Sequence, residues 1–145
     1  MKVLLEVNDS YGVVPKIVFK RLTEKVLQRL QYQDDCTVSL ALVSNNDIAD
    51  LNKRYRNREG ATDVLSFPFL KGGSEFQPKG SQPDLGEIVV AYQQAGQQAQ
   101  EQGHELVVEL KRLYVHGLLH LLGYDHQVET EQQEMEKLEQ EILNN

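Results

Sequence analysis

Residues 104–126 read HELVVELKRLYVHGLLHLLGYDH. Apolar residues recur there every three or four positions, which predicts an amphipathic helix from about residue 104 to residue 122. Gly123 is the type of residue at which a helix ends. We expect this segment to be the long central helix of the protein. Its predicted buried face comprises Leu106, Val107, Leu110, Leu113, Tyr114, Gly117, Leu118 and Leu121.

Three of the four histidines lie at the end of this helix. His116 and His120 are four residues apart, so they project from nearly the same face, roughly 6 Å apart along the axis. His126 follows Gly123 by three residues, and a chain that turns back at that glycine can bring a third imidazole to the same point. Imidazole suits zinc and related transition metals. The spacing therefore predicts one metal ion held by His116, His120 and His126.

The lack of further cysteines indicates the type of metal site. Structural zinc sites are usually closed by four ligands, often cysteines, whereas catalytic sites keep one position open. The single cysteine, Cys36, lies far upstream in a predicted strand. Asp125 is expected to accept a hydrogen bond from a ligand imidazole and so fix its tautomer. His104 lies about 120° around the helix from His116 and is expected to be a surface residue near the helix start.

The histidine spacing also matches a known protease pattern. Positions 116, 120, 123 and 126 reproduce the H-x-x-x-H-x-x-G-x-x-H spacing of metzincin proteases. Those proteases have a glutamate directly after the first histidine, as the general base for peptide hydrolysis. Here that residue is Gly117. A metallopeptidase therefore remains an alternative, but the missing base argues for different chemistry on a similar metal geometry.

Length and composition restrict the class of protein. A chain of 145 residues with 40% hydrophobic content predicts a single soluble globular domain over residues 1–145. No segment approaches ~18 uncharged apolar residues, so no membrane span is expected. No signal-like apolar run develops at the N-terminus before a charged residue. One cysteine allows no intrachain disulfide, and we expect a cytoplasmic protein without a disulfide-linked partner.

The net charge of −7 is unevenly distributed. Residues 1–60 hold ten Lys/Arg against eight Asp/Glu, a net of +2, and residues 61–145 hold five against fourteen, a net of −9. An acidic protein is a poor non-specific binder of nucleic acid, but a basic strip beside a metal ion could hold a phosphate chain. Charge alone is more typical of solvated helix faces. The basic residues form two groups, Lys16, Lys20, Arg21, Lys25 and Arg29, and Lys53, Arg54, Arg56 and Arg58.

The rest of the chain predicts a small mixed sheet covered by helices. Strand patterns occur at residues 2–8, 37–43, 63–67 and 85–92. Helical spacing occurs at residues 15–32, from Ser44 (with Asp47 as a capping pair), from residue 93 to a break at Gly103, and at residues 128–143. Glycine and proline at residues 71–84 predict a loop. We predict an α+β domain in which about five helices pack a mixed four-stranded sheet, with the metal site at the end of the central helix.

The string from His116 to His126 resembles the signature H-G-x-L-H-L-x-G-Y-D-H of the YbeY family, bacterial metal-dependent endoribonucleases that act in ribosomal RNA maturation. Every specified position matches. Three weaker motifs lie upstream in the family's order, so that the resemblance covers roughly residues 50–126. Leu51-Asn52 with Tyr55-Arg56 resembles L-N-x-x-Y-R, residues 62–68 resemble T-D-V-L-S-F-P, and residues 85–89 resemble L-G-D/E-I-V.

This resemblance implies a single α+β domain that cleaves single-stranded RNA with one zinc-like ion per chain on the three histidines. It implies a role in 3′ end maturation of small-subunit 16S ribosomal RNA and in ribosome quality control. The implied partners are ribosomal RNA, the small ribosomal subunit and its assembly proteins. The family's functional arginine maps onto Arg56, and its acidic strand residue maps onto Glu87, which is Asp in many relatives.

The chemistry of RNA cleavage agrees with these residues. The reaction passes through a phosphorane with extra negative charge, which a metal ion stabilises as a Lewis acid while it makes water more nucleophilic. Zinc is expected, and other divalent transition metals accept the same ligands. A guanidinium pairs with two phosphate oxygens, so Arg56 is a candidate for catalysis and substrate binding, with Lys53, Arg54 and Arg58 as further substrate contacts.

The role of Glu87 and the degree of catalysis are less determined. Glu87 is a candidate to orient a ligand or a water molecule, or to act as a base. The sequence shows metal ligands more clearly than it shows a general base. A zinc-binding ribosome assembly factor without catalysis of its own is therefore a third hypothesis, beside the endoribonuclease and the metallopeptidase.

Overall fold

A computed structural model describes residues 2–56, 60, 62–68, 84–124 and 129–144, without the side chain of Arg56. The elements follow the order β-α-β-α-β-β-α-α-α, as predicted. They are β1 (Val3–Asn8), α1 (Lys16–Arg29), β2 (Cys36–Val43), α2 (Asn45–Arg56), β3 (Val64–Pro68), β4 (Asp84–Ala91), α3 (Tyr92–Gln102), α4 (Leu106–Leu121) and α5 (Glu129–Leu143).

The four strands form one mixed sheet in the order β1-β2-β4-β3. β1 and β2 are parallel, β2 and β4 are parallel, and β3 runs antiparallel to β4. This confirms the predicted α+β class and the mixed four-stranded sheet. The third strand, predicted over residues 63–67, extends to Pro68, which pairs with Gly86. An edge strand tolerates proline because one side of its backbone has no partner strand.

The two faces of the sheet have separate hydrophobic cores. In β4, Ile88 and Val90 belong to the main core, which α1, α4 and α5 complete. Val89 and Ala91 point to the other face and pack with Ile48 of α2. Successive strand residues point to opposite faces, so β4 is buried on both sides. Within the described ranges, no helix is long and apolar enough to cross a membrane.

α4 is the central helix that the sequence predicts. It packs on one face of the sheet against β3 and β4, and it also contacts α1, α3 and α5. Of the predicted buried face, Leu106, Val107 and Leu121 are only half-buried and the other five residues are buried. Val115 and Leu119 are buried as well, because α4 is covered by helices on the side away from the sheet.

Two predicted helix starts have different outcomes. The backbone N–H of Asp47 donates to Ser44 Oγ at 3.1 Å, which confirms the cap of α2. α4 begins at Leu106 rather than at His104, because Gly103 adopts the left-handed conformation (φ 71°) and ends α3. His104 therefore lies near a helix start, as predicted, but its side chain is only 28% exposed and contacts Glu109.

Candidate metal centre

The last two turns of α4 bring two imidazoles together. The Nε2 atoms of His116 and His120 lie 3.2 Å apart, and both side chains are half-buried. Zinc binds imidazole nitrogen at about 2.0–2.1 Å, so two such ligands on a tetrahedral ion lie about 3.4 Å from each other. The pair therefore has the spacing that one small metal ion requires.

A carboxylate on α5 contacts the first of these histidines. Glu139 Oε1 lies 2.6 Å from His116 Nδ1. An ionised carboxylate only accepts hydrogen bonds, so Nδ1 carries a hydrogen in this contact. In a neutral imidazole, Nε2 then keeps its lone pair, which is the form that binds a metal. Sequence reasoning missed Glu139 because it is one of six glutamates in α5, and the periodicity of α5 alone does not show which of them faces α4.

The turn after α4 begins as the sequence predicts. The backbone N–H of Gly123 donates to His120 O at 3.0 Å, and that of Tyr124 donates to Leu119 O at 3.0 Å. Gly123 has φ 101°, a conformation that glycine adopts without steric cost. The expected third ligand His126 and its neighbour Asp125 lie outside the described residues. Across the part of the chain that is described, no three His, Cys, Asp or Glu side chains form a group that could hold a metal ion.

Gly117 is held closely against the sheet. Ser66 Oγ of β3 donates to the carbonyl oxygen of Gly117 at 3.1 Å. A Cβ atom at Gly117 would lie 2.8 Å from Ile88 Cγ2 and 3.0 Å from Ser66 Oγ. The packing therefore leaves no room for a side chain at Gly117. The general base that metzincins carry at this position is absent, which argues against the metallopeptidase alternative.

Glu87 lies on the other face of the sheet from the histidines. Its neighbour Ile88 faces α4, and a Cβ atom at Gly86 would lie 3.0 Å from Leu121 Cδ2 of the same helix. Because alternate residues of a strand face opposite ways, Glu87 points to the α2 side, where it is exposed and pairs in register with Phe67. The structure therefore does not bring Glu87 to the histidine pair.

The second basic group lies at the C-terminal end of α2. Lys53 and Arg54 are exposed, and Arg54 forms a 3.5 Å surface ion pair with Asp50. Tyr55, the next residue of α2, is 65% exposed. Its ring meets the ring of Phe67 edge-on, with centroids 5.6 Å apart. Arg56 is the last residue of α2; its side chain, like the whole of Arg58, is not described.

Comparison with known proteins decides the family. Residues 8–145 match the family model described as Endoribonuclease YbeY. The chain belongs to the YbeY family. This confirms the resemblance that the histidine string and the three upstream motifs indicate.

Similar proteins cover nearly the whole chain. The Endoribonuclease YbeY of Bacillus licheniformis is 40% identical over 99% of this chain and 95% of its own length. That of Bacillus subtilis is 39% identical with the same coverage, and that of Alkaliphilus metalliredigens is 44% identical over 84% of this chain and 80% of its own. The solution structure of TM1509 from Thermotoga maritima matches with a TM-score of 0.59 and 26% identity, over 98% of this chain and 89% of the other.

Proposed function

We propose that this protein is a metal-dependent endoribonuclease that cleaves single-stranded RNA. The observation that carries the proposal is the 3.2 Å separation of the His116 and His120 Nε2 atoms in a chain that matches the YbeY family over residues 8–145. Relatives that bear the name Endoribonuclease YbeY support the reaction type. The histidine pair supports a metal ion as part of it.

His116, His120 and His126 would hold the ion, which is zinc or another divalent transition metal. When bound, it supplies a Lewis acid for a phosphoryl oxygen. His116 presents Nε2 because its Nδ1 is engaged by Glu139. Gly123 ends α4 with φ 101°. We propose that the residues after Tyr124 return toward the pair, which would bring His126 to the ion and let Asp125 orient a ligand imidazole.

The C-terminal end of α2 would bind the RNA strand. Lys53 and Arg54 are exposed there. Arg56 and Arg58 follow closely in the sequence, and we propose that the four cations together bind the phosphate backbone. Arg56 remains our candidate for pairing with the reacting phosphate. The exposed ring of Tyr55 offers a stacking surface for an unpaired base, a contact that tolerates any sequence and requires a single strand.

The end of α2 lies on the sheet face opposite to α4 and next to β3, one of the two edge strands. In β3, Ser66 contacts α4 and Phe67 contacts Tyr55. We propose that a single RNA strand passes around this edge from the cations of α2 toward the histidines. Glu87, next to Phe67, would then contact the RNA path or its water on the α2 side rather than a ligand histidine.

The biological role that we propose is 3′ end maturation of 16S ribosomal RNA and ribosome quality control. The partners would be ribosomal RNA, the small ribosomal subunit and its assembly proteins, in the cytoplasm. Membership of the YbeY family supports this assignment. An assembly factor that binds RNA without cleaving it remains the second candidate, because the carboxylate beside the histidines, Glu139, is engaged by His116 Nδ1 and Glu87 points to the other face of the sheet.

The test is an RNA-cleavage assay with zinc-loaded protein, on single-stranded RNA and, in parallel, on casein. Wild type is compared with His116→Ala and Arg56→Ala. Arg29→Ala serves as a control for loss of an exposed positive charge, since Arg29 pairs with Glu141 on the surface. We expect RNA cleavage by wild type and by Arg29→Ala, and a loss of at least about tenfold in the other two variants.

Each contrary result identifies another hypothesis. RNA that is bound but not cut by wild type favours the assembly factor. RNA that is cut equally by all four proteins indicates a contaminating nuclease and contradicts the assignment. Casein cleavage that is lost in His116→Ala would restore the metallopeptidase.

A further inference from the structure

Glu109, two turns before His116 on α4, is a buried carboxylate with several hydrogen-bond partners. Glu109 has no exposed surface. Its Oε2 accepts hydrogen bonds from Arg112 Nε at 2.8 Å and from Arg112 Nη2 at 2.5 Å, and its Oε1 lies 3.0 Å from His104 Nε2. Gln98 Nε2 donates to Glu109 Oε2 at 3.3 Å. Burial alone raises the pKa of Glu109, but these hydrogen bonds outweigh burial and lower it.

Arg112 is held by Glu109 and shares a face of α4 with His116, which follows it by four residues. The hydrogen bond to Glu109 raises the pKa of Arg112 most, and the negative charges of Asp63 and Glu139 raise it further. The contact that the structure gives Glu139 is with His116, whose Nδ1 lies 2.6 Å from Glu139 Oε1.

We propose that Glu139 is a positioning residue that fixes the ring orientation and tautomer of His116. The inference rests on the proposed metal centre and adds to it a residue that lies outside the H-G-x-L-H-L-x-G-Y-D-H string. A hydrogen bond from Nδ1 to a carboxylate aims Nε2 and increases its strength as a ligand. Glu139 acts through His116 and contacts neither metal nor substrate.

A purely structural role for Glu139 would instead predict that its substitution lowers the stability of the fold. α5 is already held to the core by Met135 and Ile142, which are 1% and 2% exposed. The side chain of Glu139 is 13% exposed, so a substitution by Gln, which keeps its volume, disturbs the packing less than one by Ala. We therefore expect the fold to persist in Glu139 variants, and metal affinity to change by more than stability does.

The experiment measures zinc affinity of the full chain by competition with a chromophoric chelator, without RNA. We expect Glu139→Ala to bind zinc about 10- to 100-fold more weakly than wild type. Glu139→Gln is expected to lose less, because its amide oxygen still accepts a hydrogen bond. Glu136→Gln, which changes an exposed glutamate of the same helix, should bind like wild type. In metal-free protein, nitrogen NMR should find the Nδ1–H tautomer of His116 in wild type and a mixture of tautomers in Glu139→Ala.

The possible failures are distinct. A wild type that binds no zinc overturns the metal centre and this inference with it. If wild type binds zinc and Glu139→Ala binds it equally well, the role of Glu139 is overturned. The same holds if Glu136→Gln loses as much zinc affinity as Glu139→Ala. Neither result affects the proposed function. RNA cleavage is not part of the readout, so a failure of the nuclease assay leaves the zinc result standing.

Discussion

The Oγ atom of Ser66 donates a hydrogen bond to the carbonyl oxygen of Gly117 at 3.1 Å. This contact joins the edge strand β3 to α4 at the residue directly after His116. Ser66 is 8% exposed, and Gly117 has no room for a side chain. The close approach of helix and sheet therefore sets the position from which His116 and His120 project.

Gly117→Ala should destabilise the protein. The added methyl group meets Ile88 and Ser66, so α4 must shift, and overpacking of this kind costs about 1–3 kcal/mol. The change is measured as the free energy of unfolding in urea. The matched control is Gly96→Ala in α3, where a Cβ atom meets nothing within 4 Å and alanine is expected to stabilise the helix by about 0.5–1 kcal/mol. Equal effects of the two substitutions would show that helix–sheet contact at Gly117 is not tight.

The buried hydroxyl of Tyr114 gives a second stability prediction. Thr23 Oγ1 donates to Phe19 O at 2.7 Å, so it accepts from the hydroxyl of Tyr114 at 2.5 Å. Burial raises the pKa of Tyr114, so this hydroxyl stays protonated as a donor. Thr23→Val removes the acceptor and leaves a buried donor, which costs about 1–3 kcal/mol. Tyr114→Phe removes the donor itself and should cost less, about 0.5–1.5 kcal/mol.

Urea unfolding of both variants and of the double variant measures this difference. The double variant should be little worse than Thr23→Val alone, because both partners of one hydrogen bond are then absent. A larger loss for Tyr114→Phe than for Thr23→Val would contradict the assignment of donor and acceptor.

Glu109 predicts a loss of stability in acid. Burial alone raises its pKa, but hydrogen bonds from Arg112 and His104 bring it below the ordinary value of 4.5. A carboxylate whose pKa is lower in the folded state binds fewer protons there than in the unfolded state. Its contribution to stability is therefore complete above about pH 4.5 and is lost as the pH falls through the folded pKa.

The measurement is the free energy of unfolding of wild type and Glu109→Gln between pH 7 and pH 3. The advantage of wild type over Glu109→Gln should shrink below about pH 4.5, while Glu134→Gln, an exposed glutamate of α5, controls for removal of one surface carboxylate. An advantage that is constant over this range would mean that Glu109 is not kept ionised by its partners.

Local periodicity explains what could be predicted from the sequence. The apolar repeat of α4 and the four-residue spacing of His116 and His120 follow from one helical period, and the structure confirms the helix and brings the two imidazoles together. The strand order, with β4 between β2 and β3, was not predicted, because it depends on which segments distant in sequence pair with each other. The predictions for Asp125, His126, Arg58 and the side chain of Arg56 remain predictions, since those groups are not described.

The partners of the histidines depend on tertiary packing instead. Glu139 reaches His116 only because α5 docks on α4, and its own helix contains five other glutamates. The alternation in β4 puts Glu87 and Ile88 on opposite faces, but only the docking of α4 on the Ile88 side shows that Glu87 faces away from the histidines. Glu109 interrupts an apolar segment and is buried because Arg112, His104 and Gln98 surround it.

Zinc content is the most direct test of the metal centre on which the account depends. Protein that has been stripped with a chelator, reloaded with zinc and freed of excess metal is measured by elemental analysis, beside His120→Ala and His104→Ala. The account predicts about one zinc per chain in wild type and in His104→Ala, and almost none in His120→Ala. A full zinc equivalent in His120→Ala, or no zinc in wild type, would contradict it.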